Sequence, residues 1–387
     1  MMEEKIQALW HAARSRFYHP GTHQFYDYLS SYETGRTLAH LPSAREVRAS
    51  VPDEFGYGTG MEDCMISAGV LLSMVLDWFA ATGEDSLRAI AHDLFLGIRL
   101  SATVHGDLGF LARGVCPEDG RSVYPASSRD QVTHALHGLW HYARSPLADA
   151  PARREVTEVV GWISDRMLRD MTAANGFESL GLDGARDTRG INRMWGDLEG
   201  HEMARLPMVY AIAWDLSGKP EYLDAYRKLI LEAINRSNTG SPRMAPWTYP
   251  QMQCSLEVLE ALETDAEIAA RISSLRNEVA AKALELARAN ATRTASLDLT
   301  VLPEDWRSPE GGLNGAYREA WYAVRECGEM ALTCAMAPLD KARDAEMSAL
   351  LEQMLQRVDA RHVSTCGIFH LLGGYWKIAL RRERAES

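Results

Sequence analysis

Two carboxylates carry the first chemical signal in this chain. Asp63 follows the glycine-broken aromatic stretch GYGTGME, Asp130 follows SSR, and each opens a segment apolar enough to be a buried helix. They lie 130 − 63 = 67 residues apart, which is one helical hairpin by the rhythm described below. In the first turns of neighbouring helices they would face one another. A facing carboxyl pair can divide the roles of proton donor and of base or nucleophile, the division that cleavage of a glycosidic bond requires. Its separation would set the stereochemical course, roughly 5 to 5.5 Å for retention and 6.5 to 9.5 Å for inversion. Glu62 stands beside Asp63, and the positive end of the helix dipole is expected to keep this pair ionised without an ion-pair partner. The plainer alternative is that Asp63 and Asp130 are capping or first-turn residues, where Asp is common.

A second cluster, Glu199, His201 and Glu202, sits in WGDLEGHEM. Glu199 and Glu202 are three apart and are expected to share a helix face. His201 is a candidate general base or hydrogen-bond donor to a hydroxyl; the alternative is a buried polar network. The His(i), His(i+4) pattern of helical zinc sites is absent from this cluster. His134, His137 and His141 have ligand-like spacing but read as packing or outer-face residues, so neither a metal nor a cofactor is expected.

Arg113, Arg129, Arg193, Arg243, Arg307 and Arg318 all fall in or beside long loops, with Glu319 next to the last. A guanidinium holds a carboxylate or sulfate at two points, so this grouping suits an acidic substrate such as a uronic acid. The alternative is that these arginines pair with acidic residues of the same loops. Tyr57, Trp195, Trp247, Tyr249, Trp306, Tyr317, Trp321 and Trp376 also gather at loop–helix junctions, where aromatic planes can receive the apolar faces of sugar rings.

The elements that must position these residues follow a repeating rhythm. After an N-terminal amphipathic helix over 3–17, an apolar helix is expected at 61–82, a tight turn at TGED, and a second helix at 85–104. The same unit, a long aromatic and charged loop opening onto an apolar helix, then a short polar turn and an amphipathic helix, recurs to the C-terminus. The last apolar helix, from about 371 to 382, would pair with the first helix of the chain. Strand-like runs are not evident. Six hairpins of about 50 to 70 residues can close into a ring, with apolar helices inside and all long loops rimming one funnel.

Composition narrows the partners. The 387 residues are 46% hydrophobic and 24% charged, with no low-complexity or linker-like stretch, so one domain over 1–387 is expected. A net charge of −12 opposes nucleic acid and anionic membrane surfaces. The most apolar run, Met65 to Leu76, reads as too short to span a bilayer. The N-terminus lacks the features of a secretory signal, and the six cysteines form no CxxC pair, which leads to the expectation of a cytoplasmic protein fed by imported fragments. Oligomeric state is not readable.

The loop–helix rhythm over nearly the whole chain resembles the six-hairpin glycosidase superfamily, and the short turns DLSGKPEYLDAYRKL and ATGEDSLRAIA are similar to those between its inner and outer helices. The resemblance implies an all-α (α/α)6 barrel and a carbohydrate-active enzyme with its chemistry at the funnel mouth. In the unsaturated glucuronyl hydrolases of that superfamily, two aspartates on successive inner helices protonate and hydrate a vinyl ether. Asp63 and Asp130 are similar in layout, although no motif of that family is present. The leading expectation is therefore a hydrolase for a short, uronate-bearing oligosaccharide, with Asp63, Asp130, Glu202 and His201 catalytic. A second is an epimerase of the N-acylglucosamine 2-epimerase type, with His201 and His370 as proton shuttles beside Glu202. A third is a non-catalytic toroid that binds glycans or protein. A carboxyl pair across a slot marks the first, two histidines across it the second, and neither arrangement the third.

Overall fold

The structure, a computed structural model, describes residues 2–187, 189–338 and 340–386. Six helices form an inner ring: α3 (Cys64–Thr82), α5 (Arg129–Arg144), α7 (Arg205–Ser217), α9 (Thr248–Leu262), α11 (Gly315–Ala335) and α13 (Gly367–Glu386). Each touches the next, and α13 returns to α3, which closes the ring. Outside lie α1 (Met2–Phe17), α4 (Leu87–Thr103), α6 (Ala150–Asp170), α8 (Pro220–Arg236), α10 (Ala266–Thr294) and α12 (Lys341–Arg357). The fold is an (α/α)6 toroid, and α1 packs on α13 as the sixth outer helix.

Sequence explains which ring each helix joins. On α4 the buried residues Leu87, Ile90, Ala91, Leu94, Phe95 and Ile98 form one stripe at helical spacing, so one face meets the inner ring and the other meets water. On α3 every residue from Cys64 to Trp78 is buried, which demands neighbours on all sides. This helix runs on through Asp77 to Thr82 and, contrary to the expectation of a segment too short for a bilayer, its 19 residues are long and apolar enough to cross one. Here other helices wrap it, and 83% of its most apolar window is buried. Its closest approach is to α5, where a Cβ added at Gly69 would lie 2.0 Å from the His134 carbonyl oxygen, so only glycine lets the two backbones meet. The tight turns end inner helices in the left-handed conformation, with the Gly83 and Gly218 N–H groups returning to the carbonyls of Phe79 and Trp214.

Several local expectations are corrected. The loop over residues 19–50 carries a short helix, α2 (Ala44–Arg48), and at its start two two-residue strands, β1 (Tyr18–His19) and β2 (Gln24–Phe25), pair antiparallel. Helix α13 starts at Gly367, so His370 lies inside it rather than before it. Glu199 and Glu202 do not share a face of α7: Gly200–Glu202 is a single 3-10 turn ahead of that helix, and the Glu199 N–H donates back to Glu202 Oε2 at 3.2 Å.

Candidate active site

The inner helices deliver their N-terminal tips to one funnel. One cavity there, about 660 Å³, is lined by Glu62 and Asp63 before α3, Asp130 on α5, Gln251 on α9 and Arg318 and Arg325 on α11. Asp63 and Asp130 thus open onto one space. Trp247, Trp306, Trp321, Tyr57 and Tyr322 form aromatic walls, with Trp321 buried and Trp247 37% exposed.

The tip of α3 accounts for the placement of Glu62 and Asp63. Asp63 occupies the N-cap position but its side chain caps nothing. Other residues satisfy the first-turn donors: Asp27 Oδ2 accepts from Glu62 N (2.8 Å) and Asp63 N (3.0 Å), and Gln131 Oε1 accepts from Met65 N and Ile66 N, both at 3.1 Å. The Asp63 carboxylate is left free for ion pairing, with Arg325 at 2.7 Å and Arg113 at 3.4 Å. The expectation of carboxylates held ionised by the dipole alone is therefore corrected on both counts. Asp63 has two guanidinium partners, and Glu62 is pushed up to about 7 by burial and by the adjacent Asp63 charge, against the pull of Arg113 and the Gly58 N–H that donates to it at 2.5 Å. Asp27, fully buried behind them, is held well above the carboxylate range by burial and by the charges of Asp63 and Glu62.

Asp130 is the opposite case. Ser128 caps α5 by accepting from Gln131 N, which leaves Asp130 in the first turn to pair with Arg205 at the start of α7. Burial would raise it, but Arg205 and Arg129 outweigh burial and hold it down at about 2. Its side chain is 31% exposed against 11% for Asp63, so Asp130 is the more accessible carboxylate. Arg205, itself buried, is steadied from below by Gln251 Oε1 at 2.7 Å.

Beneath Asp63 a buried chain of charges descends into the ring. Arg325 also holds Glu329 at 2.8 Å, and Glu329 Oε1 lies 3.9 Å from His370 Nε2. Burial lifts Glu329 to about 6 despite Arg325, and drives His370 well below the imidazole range. His370 lines neither funnel cavity.

A second, strongly polar cavity of about 690 Å³ has Arg129 and Gly190 in its lining, the chain neighbours of Ser128, Asp130 and Ile191 in the first. It holds Arg193, Arg243, Glu199 and Glu202, while His201 stays behind its wall, buried, and is lowered by burial and by Arg205 to about 4. Glu202 is paired with Arg129. Trp195 and Tyr249 are buried and line neither cavity, and Glu319 points to Arg293 on α10 at 3.7 Å. Of the six arginines expected at the funnel, Arg307 lines neither cavity, and five have carboxylate partners: Arg113 with Asp63, Arg129 with Glu202, Arg193 with Glu178, Arg243 with Glu199, and Arg307 with Glu46. Among the described residues Arg318 has no carboxylate partner and rests over the Tyr322 ring at 5.7 Å. His134 and His137 are buried inside the ring and His141 is partly so, which agrees with their reading as packing residues and not with the outer-face alternative.

Sequence reasoning missed Asp27, Gln131, Arg205, Arg325 and Glu329. Arg325 and Glu329 had a usable signal, an i,i+4 charge pair that, with Glu326, interrupts the apolar WYAVRECGEMALTCAM. Asp27 had none, since it lies in an aperiodic loop.

No protein-family model matches the chain, and no curated protein matches it. Solved structures do. A sugar epimerase from a ruminal bacterium superposes with a TM-score of 0.55 at 11% identity, covering 99% of both chains. A possible member of family GH105 from Salmonella enterica serovar Paratyphi A gives 0.51 at 12% identity over 99% of this chain and 94% of that one. A glycoside hydrolase family 76 (mannosidase) protein from Bacteroides thetaiotaomicron gives 0.50 at 12% identity over 99% of both. At such identities the likeness is one of architecture alone, the (α/α)6 toroid.

Proposed function

We propose that this chain is a glycoside hydrolase for a short oligosaccharide bearing a uronic acid. The observation that carries the reading is one cavity in which a carboxyl pushed up to about 7, Glu62, shares walls with an accessible carboxylate held down at about 2, Asp130, and with three tryptophans. In this reading Glu62 donates its proton to the leaving-group oxygen, and Asp130 activates water or attacks at the anomeric carbon. Asp63 is a positioning residue: its charge keeps the proton on Glu62, and its guanidinium partners hold it in place. Arg318 takes the uronate carboxylate, and the second, Arg-rich cavity takes a second unit of the chain.

The epimerase reading asks for two histidines across the slot. His201 and His370 are both buried and line neither cavity, so this geometry favours hydrolysis. A binding toroid would have no use for two carboxyls held in opposite protonation states. The test is product analysis on neutral and uronate-capped glycosides, with Glu62→Gln and Asp130→Asn beside the wild type. Release of reducing sugar from uronate-capped substrates, lost in both variants, is the expected result; full activity in either variant would reject the assignment.

A further inference from the structure

Toward the opposite end of the toroid lies a group of side chains that the proposed chemistry does not use. His137 and His141 lie seven and eleven residues beyond Asp130 on α5, about 10 and 16 Å down the helix at 1.5 Å per residue. One turn apart on the same face, they meet Glu257 from α9. The Glu257 Oε2 is 2.7 Å from His137 Nε2 and 3.2 Å from His141 Nε2, and the two nitrogens are 3.2 Å apart. We propose that these three residues form a binding site for a divalent transition metal of the zinc class, joining α5 to α9.

Three observations carry this. First, the triangle has the right size. Ligand atoms about 2.0 to 2.1 Å from a tetrahedral zinc lie about 3.3 Å from one another, so the three atoms already outline one face of such a site. Second, the outer partners orient the ligands. Ser73 Oγ sits 3.4 Å from His137 Nδ1, and a proton on that nitrogen leaves the Nε2 lone pair aimed at the centre. Arg276 approaches the other Glu257 oxygen, Oε1, at 3.7 Å, which leaves Oε2 facing the imidazoles. Third, one proton placed among three converging acceptor atoms can bridge two of them, whereas a divalent cation satisfies all three. Lys377 is close but is engaged by Asp77 at 3.2 Å. His141 is 29% exposed and Glu257 19%, so an ion and a water at the open fourth position can reach the site from solvent.

Two imidazoles and one carboxylate are the donor set of zinc and cobalt rather than of magnesium or calcium. The site also gives a physical role to the direct contact between α5 and α9, which meet in addition to touching their shared neighbour α7.

The test uses the full chain after chelator treatment and dialysis, titrated with Co²⁺ and Zn²⁺ near pH 7.5, beside His141→Ala and Glu257→Gln. The wild type is expected to bind one equivalent, with visible cobalt bands of a tetrahedral site lacking thiolate charge transfer, and zinc is expected to raise Tm. Each substitution should weaken binding at least about 100-fold while far-UV circular dichroism stays unchanged. His141 is partly exposed, so its variant keeps the test informative if the Glu257 variant misfolds. Absence of binding by the wild type, a cobalt spectrum with thiolate bands, or wild-type affinity in a folded variant would overturn the proposal.

Discussion

Replacing Glu62 with Gln removes a proton whose energetic signature can be read without knowing the substrate. Glu62 holds its proton to about pH 7, against 4.5 for a solvated Glu, so 7 − 4.5 = 2.5. At about 1.4 kcal/mol per tenfold in proton affinity, ionising it inside the fold costs about 3 kcal/mol more than in the unfolded chain. This is a ceiling, because one edge of the side chain opens to the cavity. Between pH 4.5 and 7 the folded protein keeps a proton that the unfolded chain has lost, so stability is full below that window and falls as pH rises through it. Urea unfolding across pH 4 to 8 should show this loss in the wild type. Gln cannot ionise and still accepts from the Gly58 N–H, so Glu62→Gln should flatten the curve by most of that amount, leaving the slope due to buried Asp27. In activity assays the same variant should lose about 10² to 10⁴ in kcat, along with the basic limb near pH 7. Parallel stability curves for wild type and variant would refute the assignment of the proton to Glu62.

Asp130→Asn leaves the buried Arg205 guanidinium with Gln251 as its remaining partner, and should cost about 3 kcal/mol in urea unfolding as well as activity. Because Asp130 is held down at about 2, its contribution to stability is present above about pH 4 and is lost as pH falls through 2, so pH–rate profiles should show no acid limb from this residue above about pH 3. Arg318→Ala, at an exposed position, should leave Tm within about 1 °C and neutral-substrate turnover unchanged, while kcat/KM for uronate-capped substrates falls about 10- to 100-fold. Gly69→Ala drives a methyl into the His134 carbonyl and should lower stability by about 3 kcal/mol or more, measured by thermal unfolding.

The ring was legible because burial writes itself into composition. A segment like Cys64–Trp78, apolar on every side, can only be an inner staff, and the stripe on α4 can only be an outer one. The turns at Gly83 and Gly218 were legible for the same local reason, a left-handed cap that glycine alone adopts cheaply. Protonation was not legible. Glu62 and Asp63 are neighbours in sequence with the same chemistry, and what separates them is Arg325, 262 residues away, together with Asp27 from an aperiodic loop. The pairing of the arginines was not legible for a related reason: five of them are matched to carboxylates, and pairing distances are a property of loop conformation, which carries no period. His137 and His141 showed their spacing plainly, but Glu257 on α9 was needed to give the spacing a purpose.

The most direct measurement is time-resolved product analysis by NMR on a uronate-capped disaccharide and its neutral counterpart. Hydrolysis of the uronate substrate at least about 10-fold faster than the neutral one, abolished by Glu62→Gln, is the predicted result. An intact disaccharide with one inverted ring centre, or equal hydrolysis by wild type and Glu62→Gln, would contradict the account.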